Sequence, residues 1–171
     1  TVASYTTEPE LYGDVVSQHR DGQESFYHSD GQGSTLALTN AAGDVIDTYS
    51  YNAFGEVIAR TGDTVNPFQF IGQKGYYWDA ETGEHDVRQR PLSTSKGRWL
   101  SVDPKKSLKP YCYAENNPTN LIDPSGLDCE SGGTIEEKKS ALDTLGTIAC
   151  FQGHFKAFNL YKFEIVDGKK T

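Results

Sequence analysis

The sequence predicts a mainly β fold that ends in a short α+β tail. Three observations carry this. Tyrosine and glycine are abundant, at 10 and 17 of 171 residues, while apolar residues reach only 36%. That balance suits twisted strands and tight turns better than a leucine-rich helical core. A short unit also recurs: Gly13-Asp14-Val15-Val16, Gly43-Asp44-Val45-Ile46 and Gly55-Glu56-Val57-Ile58. Finally, "TLALT" (35–39), "VIDTYSY" (45–51) and "EVIAR" (56–60) alternate apolar with polar residues between turn-formers, which is the period of a half-buried strand.

Taken in order, the first hundred residues read as a string of hairpins. Glycine supplies positive φ at each turn, and the β-branched residues after it favour the pleated strand. Asn66-Pro67, Gly72, Gly75 and Thr82-Gly83 mark further turns, and no helical period emerges. His19, His28 and His85 fall among turn residues and are expected to be exposed. Cys112, between Tyr111 and Tyr113, is expected to pack as a small hydrophobe in a strand.

After Leu127 the character changes. Ser131-Gly132-Gly133 reads as flexible, and Thr134 to Glu137 has the Thr-x-x-Glu pattern of a capping box. Ile135, Leu142, Leu145 and Ile148 share one helix face, and Gly153 closes it. "YKFEIV" (161–166) alternates as a strand, and Asp167-Gly168 signals a hairpin whose second strand is missing.

Composition excludes several functions. The net charge of −8 argues against a nucleic-acid-binding core. The acidic excess sits in residues 1–127, with seventeen acids against ten bases, while 128–171 hold seven acids against six lysines. No apolar run approaches a membrane span, and the opening "TVASYTTEPELYGD" lacks the features of a leader. The absence of methionine leads to the expectation of an internal or processed piece of a longer polypeptide. Three cysteines are too few for a disulfide scaffold. Cys129, Cys150 and His154 lack a fourth zinc ligand, so no metal and no cofactor is expected.

Five ordered motifs then carry a resemblance covering about three quarters of the chain: "YHSDGQGSTLALTNAAGDVI" (27–46), "YSYNAFGEVI" (49–58), "NPFQFIGQKGYYWDAETG" (66–83), "GRWLSVDP" (97–104) and "YCYAENNPTNLIDPSGL" (111–127). In this order they resemble the C-terminal end of an RHS, or YD-repeat, protein with its RHS-associated core, as in polymorphic toxins and Tc-toxin C components. The resemblance implies three regions: YD-repeat hairpins at 1–65, the core at 66–127 and a variable cargo segment at 128–171. It implies hairpins wound into a shell around that cargo, a secreted or surface-delivered protein, and an aspartyl-type self-protease cutting between Leu127 and Asp128. The partners implied are the upstream shell, the chain's own cargo, and a delivery system or immunity protein.

Asp103 and Asp123 match the family's catalytic aspartates, each followed by proline (Pro104, Pro124), and Arg90 matches its assisting arginine. Two carboxyls sharing one proton can activate water and donate to the carbonyl oxygen. The prolines fix local φ. Arg88 and Arg98 compete for Arg90's role. Gly126 is expected to allow close backbone approach, and Leu127 to sit in an apolar pocket on the acyl side of the cut. The family's Arg-Tyr-Tyr-Asp is replaced here by Arg90-Pro91-Leu92-Ser93, and Lys105-Lys106-Ser107 lacks the usual glycine. A non-enzymatic shell segment that tethers the cargo is the alternative. A tail active in its own right ranks last, because so short a segment makes a marginal core.

Overall fold

The computed structural model describes residues 3–9, 11–105 and 109–131, and the short stretches 165–166 and 169–170. Six antiparallel strands form the first sheet in sequence order: β1 (Ala3–Thr7), β2 (Val15–Arg20), β3 (Gln23–Ser29), β4 (Thr35–Thr39), β5 (Val45–Tyr51) and β6 (Val57–Thr61). Strands β4 and β5 coincide with the alternating segments expected, and β6 begins one residue later than expected.

One turn closes three successive hairpins. Asp30, Asn40 and Asn52 each accept at Oδ1 the N–H of the residue two places on, at 2.9, 2.9 and 3.0 Å. The same oxygen takes the N–H four places on, from Ser34, Asp44 and Glu56. Gly33, Gly43 and Gly55, three places on, each return an N–H to the carbonyl of the opening residue at 3.0 Å. The short polar side chain therefore satisfies backbone donors that a bare turn would leave to water. At Gly55 the need for glycine is absolute, since a Cβ there would lie 2.3 Å from the Phe70 ring.

A strap then crosses the sheet. Thr35 and Gln69 pair through Thr35 N–H at 2.9 Å, Ile71 N–H donates to the Ser34 hydroxyl at 3.1 Å, and Lys74 ion-pairs with Asp14 at 2.8 Å. The strap ends in a 3₁₀ turn at Gly72–Lys74, where the glycines predicted turns. A second antiparallel sheet follows, in the order β10-β9-β8-β7: β7 (Tyr77–Asp79), β8 (Glu84–Val87), β9 (Arg90–Ser93) and β10 (Arg98–Trp99). Beyond it, β11 (Leu121–Ile122) pairs with β12 (Glu130–Ser131). Ser131 is thus held in a strand, where the sequence suggested a flexible linker.

The core gathers Phe70, Ile71, Tyr76, Val87, Leu92, Trp99, Tyr113, Ala114 and Ile122. Edge-to-face ring pairs run through it, with Trp99–Tyr113 centroids at 5.3 Å and Phe70–Tyr76 at 6.1 Å. Each such pair contributes about 0.5–1.5 kcal/mol beyond area burial. The aromatic surplus of the composition is spent here.

The histidine expectation holds in part. His19 is exposed, but all three lie in strands (β2, β3 and β8) rather than in turns, His28 is half-buried, and His85 is only 1% exposed. Its ring packs against Trp78 and Phe70, and neither ring nitrogen has a hydrogen-bond partner. Burial pushes its pKa down to about 4. Between about 4 and the ordinary 6.5 the unfolded chain binds more protons, so stability rises with pH across that window. The expected result is a denaturant midpoint that falls as pH drops from 6.5 towards 4, then levels. In a His85→Phe protein that part of the slope should vanish; an unchanged slope would assign it to other groups.

The tail is described only in part. The helix expected from residue 134, with Cys150, His154 and the 167–168 turn, lies outside the described residues. Strand β13 (Ile165–Val166) pairs antiparallel with β14 (Lys169–Lys170), so the hairpin has the second strand that the sequence reading found missing.

Candidate active site

Strands β8 and β9 meet in a tight hairpin, with Val87 opposite Arg90 in the register. Arg90 therefore starts a strand at the sheet's end, with its side chain 3% exposed. Its guanidinium lies 4.3 Å from the Trp99 ring centroid. Nη1 ion-pairs with Asp103 Oδ2 at 3.2 Å, and Nη2 with Asp123 Oδ2 at 3.2 Å. Nε donates to the Gly126 carbonyl. One side chain thus joins both carboxyls to the backbone of the loop ahead of Leu127. Arg88 instead donates to the carbonyls of Lys74 and Pro124 and lies over Tyr12, while Arg98 lies over Tyr111.

Asp123 lies just after β11 and is 1% exposed. Its N–H donates to the Tyr76 hydroxyl at 3.1 Å, which is 3.2 Å from the Tyr113 hydroxyl. Oδ1 accepts the Ser125 hydroxyl at 3.0 Å, the Leu127 N–H at 2.9 Å and the Asp128 N–H at 3.0 Å. Burial raises the Asp123 pKa above its ordinary value, while Ser125, the two N–H groups and Arg90 pull it down. The net direction is upward, which favours a held proton.

The loop from Asp123 to Leu127 repeats the hairpin turn. Gly126, three places on, donates its N–H to the Asp123 carbonyl at 3.1 Å, and the N–H four places on goes to Oδ1. Pro124 occupies the second position, and the Ser125 hydroxyl takes the place of the N–H two places on. Gly126 has φ +73, and a Cβ there would meet the Val87 carbonyl oxygen at 2.6 Å. The close approach expected of it is present.

Asp103 is less enclosed, with its side chain 13% exposed. Its N–H donates to the Pro110 carbonyl, and Oδ1 accepts the Lys105 N–H at 2.8 Å. Pro104 is exposed, whereas Pro124 is buried. Lys105 also pairs through Nζ with Asp128, so the lysine that departs from the family pattern touches both a candidate carboxyl and the residue after the seam. Its role was missed in the sequence, as were those of Tyr76, Ser125 and Trp99.

Arg90, Asp103, Lys105 and Asp123 line an open cavity of about 580 Å³ that also takes in Leu127, Asp128, Cys112 and Cys129. Leu127 is half-buried beside charged groups, so the apolar pocket expected for it is not what surrounds it. Cys112 is half-buried and bridges Arg98, rather than packing within a regular strand. Among the described residues no cluster of histidine, cysteine and carboxylate side chains is disposed to hold a metal ion.

A run of like-turned antiparallel hairpins, strapped onto a small aromatic core that ends in paired aspartates, defines the class as a hairpin-repeat protein with a terminal core. No protein-family model matches the chain. It is 29% identical over 133 residues to the tRNA3(Ser)-specific nuclease WapA of Bacillus spizizenii, covering 70% of this chain and 6% of that protein. It is 32% identical over 106 residues to the toxin protein Tse5 of Pseudomonas aeruginosa, covering 60% and 8%. The crystal structure of TcdB2-TccC3 superposes with a TM-score of 0.61 over 71% of this chain and 6% of that one, at 24% identity, a likeness of fold. The chain is thus similar in sequence to RHS polymorphic toxins and in fold to a Tc-toxin complex, consistent with a protein of the RHS/YD-repeat type. It spans no more than 8% of the length of any of these three.

Proposed function

We propose that residues 66–127 form a single-turnover aspartyl-type self-protease that cuts its own chain between Leu127 and Asp128. In this reading 1–65 belong to the shell and 128–171 to a cargo segment released by the cut. The observation that carries it is the Asp123 carboxyl on the Asp128 N–H, with Asp103 linked to it through Arg90. Asp103, the more open carboxylate, takes a proton from water as the hydroxyl adds to the Leu127 carbonyl carbon. Asp123, its proton favoured by burial, gives that proton to the Asp128 nitrogen as the C–N bond breaks. One water is consumed, a carboxyl and an amino terminus form, and the proton of the pair ends on Asp103. Arg90 orients both carboxyls and offsets their mutual repulsion.

A second reading has an observation of its own. Asn40 and Asn52 hold the same turn with an amide, and in this second reading Asp123 is only a turn-former in an uncut tether. The same fact makes the test clean, because asparagine keeps the Oδ1 acceptor. Intact masses of the full-length protein should be compared with those of Asp103→Asn and Asp123→Asn. The expected result is a wild-type break after Leu127 that is lost in both variants. An intact wild-type chain in a folded shell would leave the tether, and a cut persisting in both variants would indicate an outside protease. A break at Asp123-Pro124 is ordinary acid chemistry and counts for neither.

A further inference from the structure

The residue that follows the seam is gripped at both its backbone and its side chain. Asp128 N–H donates to Asp123 Oδ1 at 3.0 Å and to the Ser125 hydroxyl at 3.2 Å. Its Oδ2 pairs with Lys105 Nζ. Lys105 is itself tied to the other candidate carboxyl, because its backbone N–H donates to Asp103 Oδ1 at 2.8 Å. That bond, from the amide two residues on to the aspartate oxygen, is the local turn that aspartate favours. One lysine therefore reaches from the Asp103 carboxyl to the side chain just beyond the Leu127–Asp128 bond.

Charge explains what a cation does at this place. Asp103, Asp123 and Asp128 bring three carboxyls to the wall of one cavity. The Arg90 guanidinium is committed to the first two and to the Gly126 carbonyl. Asp128 is met by a second cation, Lys105. The Lys105 and Asp128 side chains are 52% and 70% exposed, so water screens the pair and its contribution to folding is small. Its effect falls on where the Asp128 backbone lies against Asp103 and Asp123.

We infer that Lys105 is a specificity-determining residue, whose ammonium selects an acidic side chain at the first position after the cut and so helps to seat that residue's N–H on Asp123. The inference rests on the self-cleavage reading and names the sequence preference of that site. A neutral residue at position 128 still offers its N–H to Asp123 and Ser125, so its cut is slowed and not abolished. A basic residue there meets Lys105 with like charge and is cut more slowly again.

The full-length protein is made by cell-free synthesis, and the fraction cut after Leu127 is followed in time by intact mass. Asp128→Asn is expected to cut about two- to fivefold more slowly than wild type, the range that an exposed ion pair supplies. Asp128→Glu should cut nearly as fast as wild type, and Asp128→Lys slowest of all. The same three substitutions are then placed on Lys105→Met, which keeps the backbone N–H on Asp103 and removes the charge. On that background the rates should converge, a coupling that a merely structural role of either residue would not produce. High salt should narrow the gap between wild type and Asp128→Asn, and unfolding midpoints should stay at the wild-type value throughout. Equal rates for wild type and Asp128→Asn, or the same loss with and without the Lys105 charge, would overturn the role of Lys105 and leave the self-protease standing. A wild-type chain that never cuts, or a cut that persists in both Asp103→Asn and Asp123→Asn, would remove the self-protease and this inference with it.

Discussion

Replacing Arg90 with methionine is expected to destabilise the core by about 3–5 kcal/mol, the range for removing one partner of a buried ion pair, and to stop the cut. Arg90 and Asp123 are 3% and 1% exposed, so the loss leaves a largely buried carboxyl pair without its cationic partner. Methionine preserves much of the volume against Trp99 but cannot bind Asp103, Asp123 and the Gly126 carbonyl. Denaturant unfolding of the full-length protein, beside intact mass, reads both effects. The stability deficit should shrink in acid, where protonation removes the negative charge that Arg90 no longer offsets. A methionine variant as stable as wild type at neutral pH would show that the carboxyls find other partners. Arg90→Lys adds a finer test: one ammonium keeps a charge without the planar fork, so it should recover part of the stability and little of the cleavage.

Gly126→Ala should lose about 1–3 kcal/mol through backbone strain and carry the cleavage loop off its seat. The residue sits at φ +73, and the new Cβ would be 2.6 Å from the Val87 carbonyl oxygen, a backbone atom that cannot swing aside. Gly22→Ala is the matched control, with φ +79 and nothing within 4 Å of the added atom. It should show the cost of positive φ alone, about 1–2 kcal/mol, and leave cleavage intact. If the two variants lose equal stability and both cut, the contact with Val87 does not position the loop.

The parts legible in the sequence were those with local causes. Strands β4 and β5 follow from alternation between turn-formers, and their turns from an Asn or Asp with a glycine three places on. The second sheet was hidden because β9 opens with Arg90-Pro91, residues unlike a strand interior, and owes its place to the Val87–Arg90 hairpin. His85 misled because its acidic neighbours Glu84 and Asp86 suggest a turn, whereas only His85 of the three faces Trp78 and Phe70. Spacing alone left Arg88, Arg90 and Arg98 open. Three-dimensional packing sends only Arg90 between the two aspartates and aims the others at carbonyls and tyrosine rings. Lys105's contact with Asp128 joins residues that no local pattern relates.

The likeness between the Asp123 loop and the hairpin turns bears on how a self-cutting loop of the kind proposed can arise. A tandem array copies its turns along with its strands, and every copy already aims an oxygen at the amide four residues ahead. At Asn40 and Asn52 the next residues enter β5 and β6, and the amides beyond are knitted into the sheet. After Leu127 the chain runs along a cavity instead, and Asp128 is exposed. Innovation then required no new loop. Under the proposed function it required only a strand that does not start at once and neighbours to bring Arg90 and Asp103 alongside, because Asp30 already offers an acid at the same place in the turn. The interior turns are bound on both sides by strand pairing and so are held as scaffolding, whereas the Asp123 turn is followed by exposed chain that strand pairing does not at once claim.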